Sequence, residues 1–220
     1  MKKFCLIGLL LIFLLAGTKV FSQPPHLIYF TFSVNPAGKI DLEGRGYYAL
    51  LFNQDANPIE VSNPDSFTDF IRFDGMQFIW FHRQDNVPPP GYTWVSAGNI
   101  NRFGHISSDN RTITLIFDLN DPTLLFNQYL PNPCFSVHLL TCSNEKGAYL
   151  GKVIDTLGLG PSILNNSLNT VYVNSQQGSL TPYPPFYPMD PLNDWAKQEN
   201  LPPDFPYKNF DLYRFEIKVK

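Results

Sequence analysis

The chain has 220 residues, of which 16 are basic and 19 are acidic, so its formal net charge is −3. Its Lys and Arg residues form no clusters, whereas proteins that bind nucleic acids or anionic membranes need such clusters to replace counterions, so the composition argues against both partners. Charged residues make up 16 % of the chain and aromatic residues 15 %, which is typical of a packed, strand-rich globular protein.

The first 22 residues predict a secretory signal peptide. Lys2 and Lys3 form a basic start, an apolar stretch follows at residues 4–16, and Val20 and Ser22 offer small side chains at the processing positions. The apolar stretch is shorter than the roughly 20 residues that a membrane-spanning helix needs. We therefore expect an exported protein of residues 23–220 without a membrane span, located in the periplasm, at the cell surface or outside the cell.

The rest of the chain alternates apolar and polar residues, which predicts half-buried β-strands. The alternation is clearest at the C-terminus, where Arg214, Glu216 and Lys218 would face water. Residues 78–81 are apolar on both faces, which predicts a fully buried strand that holds Trp80 in the core. The expected strands are residues 28–34, 47–52, 70–73, 77–82, 92–97, 112–119, 134–142, 170–174 and 213–219. This spacing predicts an all-β protein, a two-sheet antiparallel β-sandwich of about nine strands that forms a single domain.

Two connections have a distinct character. Asp74-Gly75 predicts a tight hairpin, because glycine readily adopts the positive φ angles of such turns. Residues 181–207 contain eight prolines interleaved with aromatic residues, which predicts a segment that wraps the sandwich, with a binding surface or lid as the alternative. Within it, residues 190–200 predict one short helix, with Pro191 in the first turn and Trp195 anchoring one side.

Cys134 and Cys142 remain after loss of the signal peptide. Seven residues without a turn former separate them, so they lie in one strand and about 26 Å apart. A disulfide needs Cα atoms within about 7 Å, so we expect two buried thiols unless the segment folds back on itself. The same distance argues against a zinc site formed by these cysteines and His138.

A polar loop follows the strand at residues 47–52. Asn53, Asp55 and Asn57 alternate along it, and Glu60 lies three residues further on. These are the hard oxygen ligands that Ca²⁺ prefers, so the loop is a candidate calcium site. A plain turn built from Asn and Asp is the alternative, and no other cofactor is indicated.

Aromatic side chains offer a second candidate site. Trp94 and Tyr92 follow the loop Pro88-Pro89-Pro90-Gly91, and an exposed aromatic face there would bind the apolar side of a sugar ring. Tyr47, Trp80 and Phe103 would extend such a platform if the fold brings them together.

Motifs of common hydrolases and nucleotide-binding enzymes are absent from the sequence. Asp65, Asp69 and Asp85 are carboxylates that a glycoside-active enzyme would use, although such chemistry needs two of them at a fixed separation. The sequence therefore favours a protein that is not an enzyme.

Three segments occur in an order that resembles the family 9 carbohydrate-binding modules and the related DOMON sandwiches. They are Tyr47-Tyr48-Ala49-Leu50-Leu51-Phe52-Asn53-Gln54-Asp55, Phe78-Ile79-Trp80-Phe81 and Thr112-Ile113-Thr114-Leu115-Ile116-Phe117-Asp118, within residues 47–158. The resemblance implies a β-sandwich that binds sugar or haem, and no methionine and histidine pair here matches a haem-ligand pattern. Uncharacterised exported bacterial proteins of the same architecture are an equal match.

We therefore expect an exported, non-catalytic binding module, with carbohydrate as the candidate ligand. The alternative is a structural or assembly protein of the cell envelope that acts through protein–protein contacts, for example through residues 182–187. The partners expected on these two hypotheses are a glycan and an envelope protein.

Overall fold

The computed structural model describes residues 27–53, 57, 59, 64–86, 91–118, 134–157, 171–174, 179–180 and 192–220. The expected signal peptide and residues 181–191 of the Pro-rich segment lie outside these ranges. Among the described residues, no helix reaches seven residues, and none is long and apolar enough to cross a membrane.

Within these ranges, twelve strands form two antiparallel sheets, which confirms the expected all-β sandwich. All nine expected strands are present, and the three additional ones, β6, β9 and β11, have two to four residues each, too short to show an alternating pattern. The strands are β1 Leu27–Val34, β2 Gly46–Asn53, β3 Asp69–Phe73, β4 Phe78–Asn86, β5 Gly91–Asn99, β6 Gly104–Ile106, β7 Thr112–Asp118, β8 Cys134–Ser143, β9 Val153–Thr156, β10 Val171–Asn174, β11 Ser179–Leu180 and β12 Leu212–Val219. Short 3₁₀ turns occupy Pro64–Ser66, Asn101–Phe103 and Tyr207–Asn209.

The smaller sheet has the strand order β12-β1-β7-β6. Buried and half-buried residues alternate strictly along β1 and β7, as their sequences predict. In β12, Phe215 and Ile217 are buried, whereas Arg214 and Lys218 are exposed. This sheet therefore has one face in the core and one face toward water.

The larger sheet has the order β11-β10-β8-β2-β3-β4-β5, with β9 paired to the other part of β8. Its central strand β2 is buried at all eight positions, so both faces of this sheet are covered. The inner face packs on the smaller sheet. The outer face carries a second group of buried residues, here called the outer cluster, consisting of Tyr47, Ala49, Leu51, Ile59, Phe67, Phe70, Phe81, Trp94, Leu140 and Cys142.

Stacked aromatic rings fill the space between the sheets. Trp80 is 0 % exposed, as expected for a fully buried strand, and its ring stacks on Phe52 with centroids 5.8 Å apart. The edge of the Trp80 ring meets Phe117 of the smaller sheet, also at 5.8 Å. Large aromatic rings bury much apolar area each, so this contact joins the two sheets at the centre of the core.

The hairpin expected at Asp74-Gly75 joins β3 to β4. Gly75 has a φ of +90°, and the Asp74 carboxylate accepts hydrogen bonds from the backbone N–H groups of Met76 and Gln77. The turn therefore depends on a glycine backbone and on an Asp side chain that replaces a backbone acceptor.

The helix expected at residues 190–200 is wrong for the described part, 192–200, which forms turns and extended chain. Asn193 has a φ of +66°, which no α-helix accommodates. The N–H of Ala196 donates to the carbonyl of Ile154 in β9 at 2.7 Å, and the side chain of Gln198 donates to the carbonyl of Val153. Pairing with the edge of β9 has replaced the hydrogen bonds of a helix.

Cys134 and Cys142 lie in the single strand β8, so the expected one-strand arrangement is confirmed. Cys142 is a free, buried thiol of the outer cluster, and burial raises its pKa to about 12. The side chain of Cys134 lies outside the described part of the structure.

Candidate functional site

A cleft of about 590 Å³ opens on the outer face of the larger sheet. Tyr92 and Trp94 of β5 line it, together with Tyr149 of the loop between β8 and β9 and Val153, the first residue of β9. The expected pair of binding residues thus lies in one cleft. Small-ligand sites in proteins have volumes of roughly 300–1,000 Å³, so the cleft is large enough for a sugar unit.

Trp94 lies deeper than an exposed platform residue, with 9 % of its surface exposed. Its ring stacks on Phe67 with centroids 5.1 Å apart and meets Phe70 edge-on at 4.9 Å. These contacts join β5 to the outer cluster. The indole ring packs inward because it buries more apolar area there than it would at the surface. Trp94 therefore forms the floor of the cleft, and its packing fixes the position of Tyr92, whose ring centroid lies 5.8 Å away.

The accessible rings of the cleft belong to tyrosines. Tyr92 is half-buried and Tyr149 is 43 % exposed. A guanidinium nitrogen of Arg72 donates to the carbonyl of Tyr149 at 2.8 Å, and the same group lies 4.4 Å above the ring of Tyr47. The loop that carries Tyr149 is thus attached to β3 by a charged donor, which places an aromatic ring with a hydroxyl group at the mouth of the cleft.

The wider aromatic platform does not form. Trp80 lies in the core between the sheets, and Phe103 packs against that core with its ring 5.4 Å from Phe117. Tyr47 shares the outer cluster with Trp94 but is not among the residues that line the cleft, and burial raises the pKa of its hydroxyl although the charge of Arg72 lowers it. Alternation along strands puts these rings on different faces, which spacing in the sequence alone does not reveal.

The candidate calcium loop lies partly outside the described residues, which include neither Asp55 nor Glu60. Asn53 ends β2, is 5 % exposed, and its side-chain amide donates to the carbonyl of Ser66 at 2.6 Å. Asn57 is exposed. The amide of Asn53 therefore helps to hold the chain that returns to β3, and calcium binding by this loop stays a prediction.

Of the candidate catalytic carboxylates, Asp69 is fully buried and supports the core. One of its oxygens, Oδ1, accepts from Nε1 of Trp80 at 3.1 Å and contacts Nδ1 of His82 at 2.9 Å. Asp85 is 75 % exposed and forms an ion pair with Arg83 at 3.0 Å. Asp69 is therefore a buried structural carboxylate, and Asp85 is part of a surface ion pair.

A different set of carboxylates converges in the structure. Asp155 in β9, Asp194 in the extended segment and Asp211 just before β12 each place one oxygen within 4.8 Å of the other two. Asp155 and Asp211 are 0 % exposed, and Asp194 is half-buried. Sequence analysis did not select these residues, because they share no motif and come together only when the segment at 192–201 lies along β9.

No protein-family model matches the chain, and neither a curated protein nor a solved structure matches it. Arguments about function therefore rest on the residues of this chain.

Proposed function

We propose that this protein is an exported, non-catalytic binding module whose aromatic cleft takes a carbohydrate unit. The observation that carries the proposal is the cleft itself, a cavity of about 590 Å³ that Tyr92, Trp94, Tyr149 and Val153 line. These side chains come from β5 and from the β8–β9 region, which lie far apart in the sequence. A concave, aromatic-lined cavity is the usual form of a small-ligand site.

The chemistry of the lining favours a sugar over a purely apolar ligand. The rings of Tyr92 and Tyr149 offer apolar faces for the C–H groups of a pyranose, and their hydroxyl groups can donate to or accept from its hydroxyls. Thr93 also lines the cleft and adds a further hydroxyl. Because Trp94 is packed on Phe67, the floor is held in place before a ligand binds, which lowers the entropic cost of binding.

The experiment that tests this proposal is binding of the purified chain from Gln23 to a broad glycan array, followed by calorimetric titration with the best glycan. We expect Tyr149→Ser and Tyr92→Ser to weaken binding by about fivefold or more, taking the roughly 1–3 kcal/mol that an aromatic ring stacked on a nucleic-acid base contributes as the guide. Trp94→Ala is a poorer test, because Trp94 also stabilises the outer cluster.

The matched control is Tyr29→Ser. Tyr29 is a half-buried tyrosine on the smaller sheet, where its ring lies 5.2 Å from the amino group of Lys220. Its replacement should leave glycan binding unchanged. A folded protein that binds no glycan on the array, or binding that survives both cleft substitutions, would refute the proposal.

A second candidate function is that of a structural or assembly protein of the cell envelope. A separate groove of about 640 Å³ supports it, lined by Trp195, Tyr207 and the prolines Pro202 and Pro203 of the C-terminal segment. The rings of Trp195 and Tyr207 stack at 6.0 Å. Aromatic and proline side chains at a groove are common in protein–protein contacts.

Co-purification from native envelope distinguishes the two functions. On the assembly hypothesis, a defined partner is retained by the wild-type protein and lost from Trp195→Ser, while Tyr149→Ser keeps it. On the carbohydrate hypothesis, Tyr149→Ser weakens glycan binding, while Trp195→Ser leaves it unchanged.

A further inference from the structure

The three converging carboxylates lie where the two sheets meet. The side chain of Asp155 reaches from the larger sheet to the smaller one, since its Oδ2 accepts the backbone N–H of Leu212, the first residue of β12, at 2.6 Å. Its Oδ1 accepts the N–H of Thr156 at 2.9 Å. Asp155 pairs with Thr141, whose hydroxyl donates to the carbonyl of Phe210, and a register shift follows directly, between Thr141 and Cys142. Bulges of this kind commonly redirect a side chain toward a site.

Asp211 keeps one acceptor atom without a partner. Its Oδ2 accepts from Nδ2 of Asn35 at 2.5 Å and from the backbone N–H of Asn193 at 2.9 Å. Its Oδ1 is buried and has no hydrogen-bond partner among the described residues. A buried carboxylate oxygen without a donor destabilises the fold, because its hydrogen bonds to water are lost and no protein hydrogen bond replaces them.

The described hydrogen bonds to Asp155 and Asp211 come from neutral groups. The donors of Asn35, Asn193, Thr156 and Leu212 orient the carboxylates but carry no positive charge. Three carboxylates this close repel each other strongly unless protons or a cation neutralise them.

We infer that Asp155, Asp194 and Asp211 bind one Ca²⁺ ion. The ligands are carboxylate oxygens without a His or Cys, which favours a hard cation over zinc or copper. Ca²⁺ binds oxygens at about 2.3–2.6 Å, so ligands on opposite sides of the ion stand roughly 4.6–5.2 Å apart. The three oxygens lie within 4.8 Å of one another, which fits this range. The unpartnered Oδ1 of Asp211 supplies an acceptor that no protein donor among the described residues uses.

The ion would fasten the C-terminal segment to both sheets. Asp155 belongs to the larger sheet, Asp211 directly precedes the last strand of the smaller sheet, and Asp194 belongs to the segment that pairs with β9 through Ala196. Calcium at this junction therefore stabilises the closure of the sandwich. This site is separate from the candidate loop at residues 53–60 and does not depend on carbohydrate binding.

The test is calcium titration of the purified protein expressed from the full-length chain, freed of metal with EDTA. We expect calorimetry to detect Ca²⁺ binding and the thermal midpoint to rise with each increase in Ca²⁺ concentration, because an ion that binds only the folded state stabilises it. Asp194→Asn and Asp211→Asn should each weaken Ca²⁺ binding by at least about tenfold, since affinity follows the charge of the ligands. Asp194 is half-buried, so Asp194→Asn keeps the test valid if Asp211→Asn fails to fold.

The matched control is the double variant Asp55→Asn/Glu60→Gln, which neutralises the other candidate loop. It should keep the binding isotherm and the thermal response that are lost in Asp194→Asn. A wild-type protein that neither binds Ca²⁺ nor gains thermal stability from it would overturn the inference. The same holds if folded Asp194→Asn binds like wild type, or if the control variant alone loses the response.

Discussion

The hydroxyl of Tyr48 donates a hydrogen bond of 2.7 Å to the carbonyl of Asn209. The same oxygen accepts the backbone N–H of Asp41 at 2.8 Å, so one buried side chain connects β2, the loop before it and the turn that leads into β12. Burial raises the pKa of the Tyr48 hydroxyl well above its ordinary value. The phenol is therefore a neutral structural group with both a donor and an acceptor role.

Replacement of Tyr48 by Phe tests this connection. We expect Tyr48→Phe to lower the free energy of unfolding by about 1–3 kcal/mol, because it leaves the N–H of Asp41 and the carbonyl of Asn209 without their partner. Urea unfolding measures the change. The control Tyr29→Phe, at a half-buried position, should change stability by less than about 0.5 kcal/mol, and equal effects of the two substitutions would contradict the prediction.

Gly38 lies in the loop after β1 and packs closely against the backbone of Lys208. A Cβ atom at this position would lie 2.0 Å from the carbonyl oxygen of Lys208, a distance that real atoms do not reach. We expect Gly38→Ala to cost roughly 1–3 kcal/mol, since one of the two backbone segments must move. Ala37→Gly, in the exposed part of the same turn, should cost less than about 1 kcal/mol. Thermal or urea unfolding measures the stability of both variants. An unchanged stability of Gly38→Ala would contradict the prediction and show that the turn is loosely packed.

The thiol of Cys142 should be almost inert in the folded protein. Burial raises its pKa from 9.0 to about 12, so the thiolate fraction at pH 8 falls roughly a thousandfold. The chain carrying Cys5→Ser and Cys134→Ser keeps this thiol alone. We expect iodoacetamide to modify it rapidly in urea and only slowly in buffer, as followed by mass spectrometry. Similar rates under both conditions would mean that Cys142 is accessible.

On the exposed face of β12, Lys218 lowers the pKa of Glu216. The amino group of Lys218 lies 2.7 Å from Oε1 of Glu216, and their hydrogen bond is the largest cause of the shift. The pKa is lower in the folded than in the unfolded protein, so the stabilisation is present above the ordinary pKa of Glu and disappears as the pH falls through the lowered value.

Carboxyl-carbon NMR of Lys218→Gln measures this effect. We expect the titration midpoint of Glu216 to rise toward its ordinary value and the stability at pH 7 to fall by less than about 1 kcal/mol, because the pair faces water. Lys220→Gln is the control, since the amino group of Lys220 lies over the ring of Tyr29. An unchanged midpoint in Lys218→Gln would assign the lowered pKa to another group.

Local patterns predicted the fold well where one face of a strand meets water. Strands β1 and β7 alternate strictly, and β12 alternates from Phe215 to Lys218, which predicts one face in the core and one toward water. The hairpin at Gly75 was equally local, since its positive φ favours glycine. By contrast, Asn193 and Ala196 lie in a stretch whose composition predicted a helix, and contacts with the distant Ile154 determined its conformation.

In the candidate sites too, local sequence predicted some features, and contacts between distant residues decided the others. The sequence selected Tyr92 and Trp94 as a pair, and they lie side by side because residues two apart share a face of a strand. That Tyr149 lines the same cleft could not be predicted, because this depends on how the β8–β9 loop folds over the larger sheet.

The sequence by itself determined that this chain forms a sandwich of antiparallel strands, because period-two alternation and turn residues act over a few neighbouring positions. Only the tertiary structure decided which faces of the larger sheet are covered, that Trp94 packs on Phe67, and that Asp155, Asp194 and Asp211 meet. Those relationships join residues far apart in the chain, and they depend on strand register and on the path of the C-terminal segment, which no local pattern encodes.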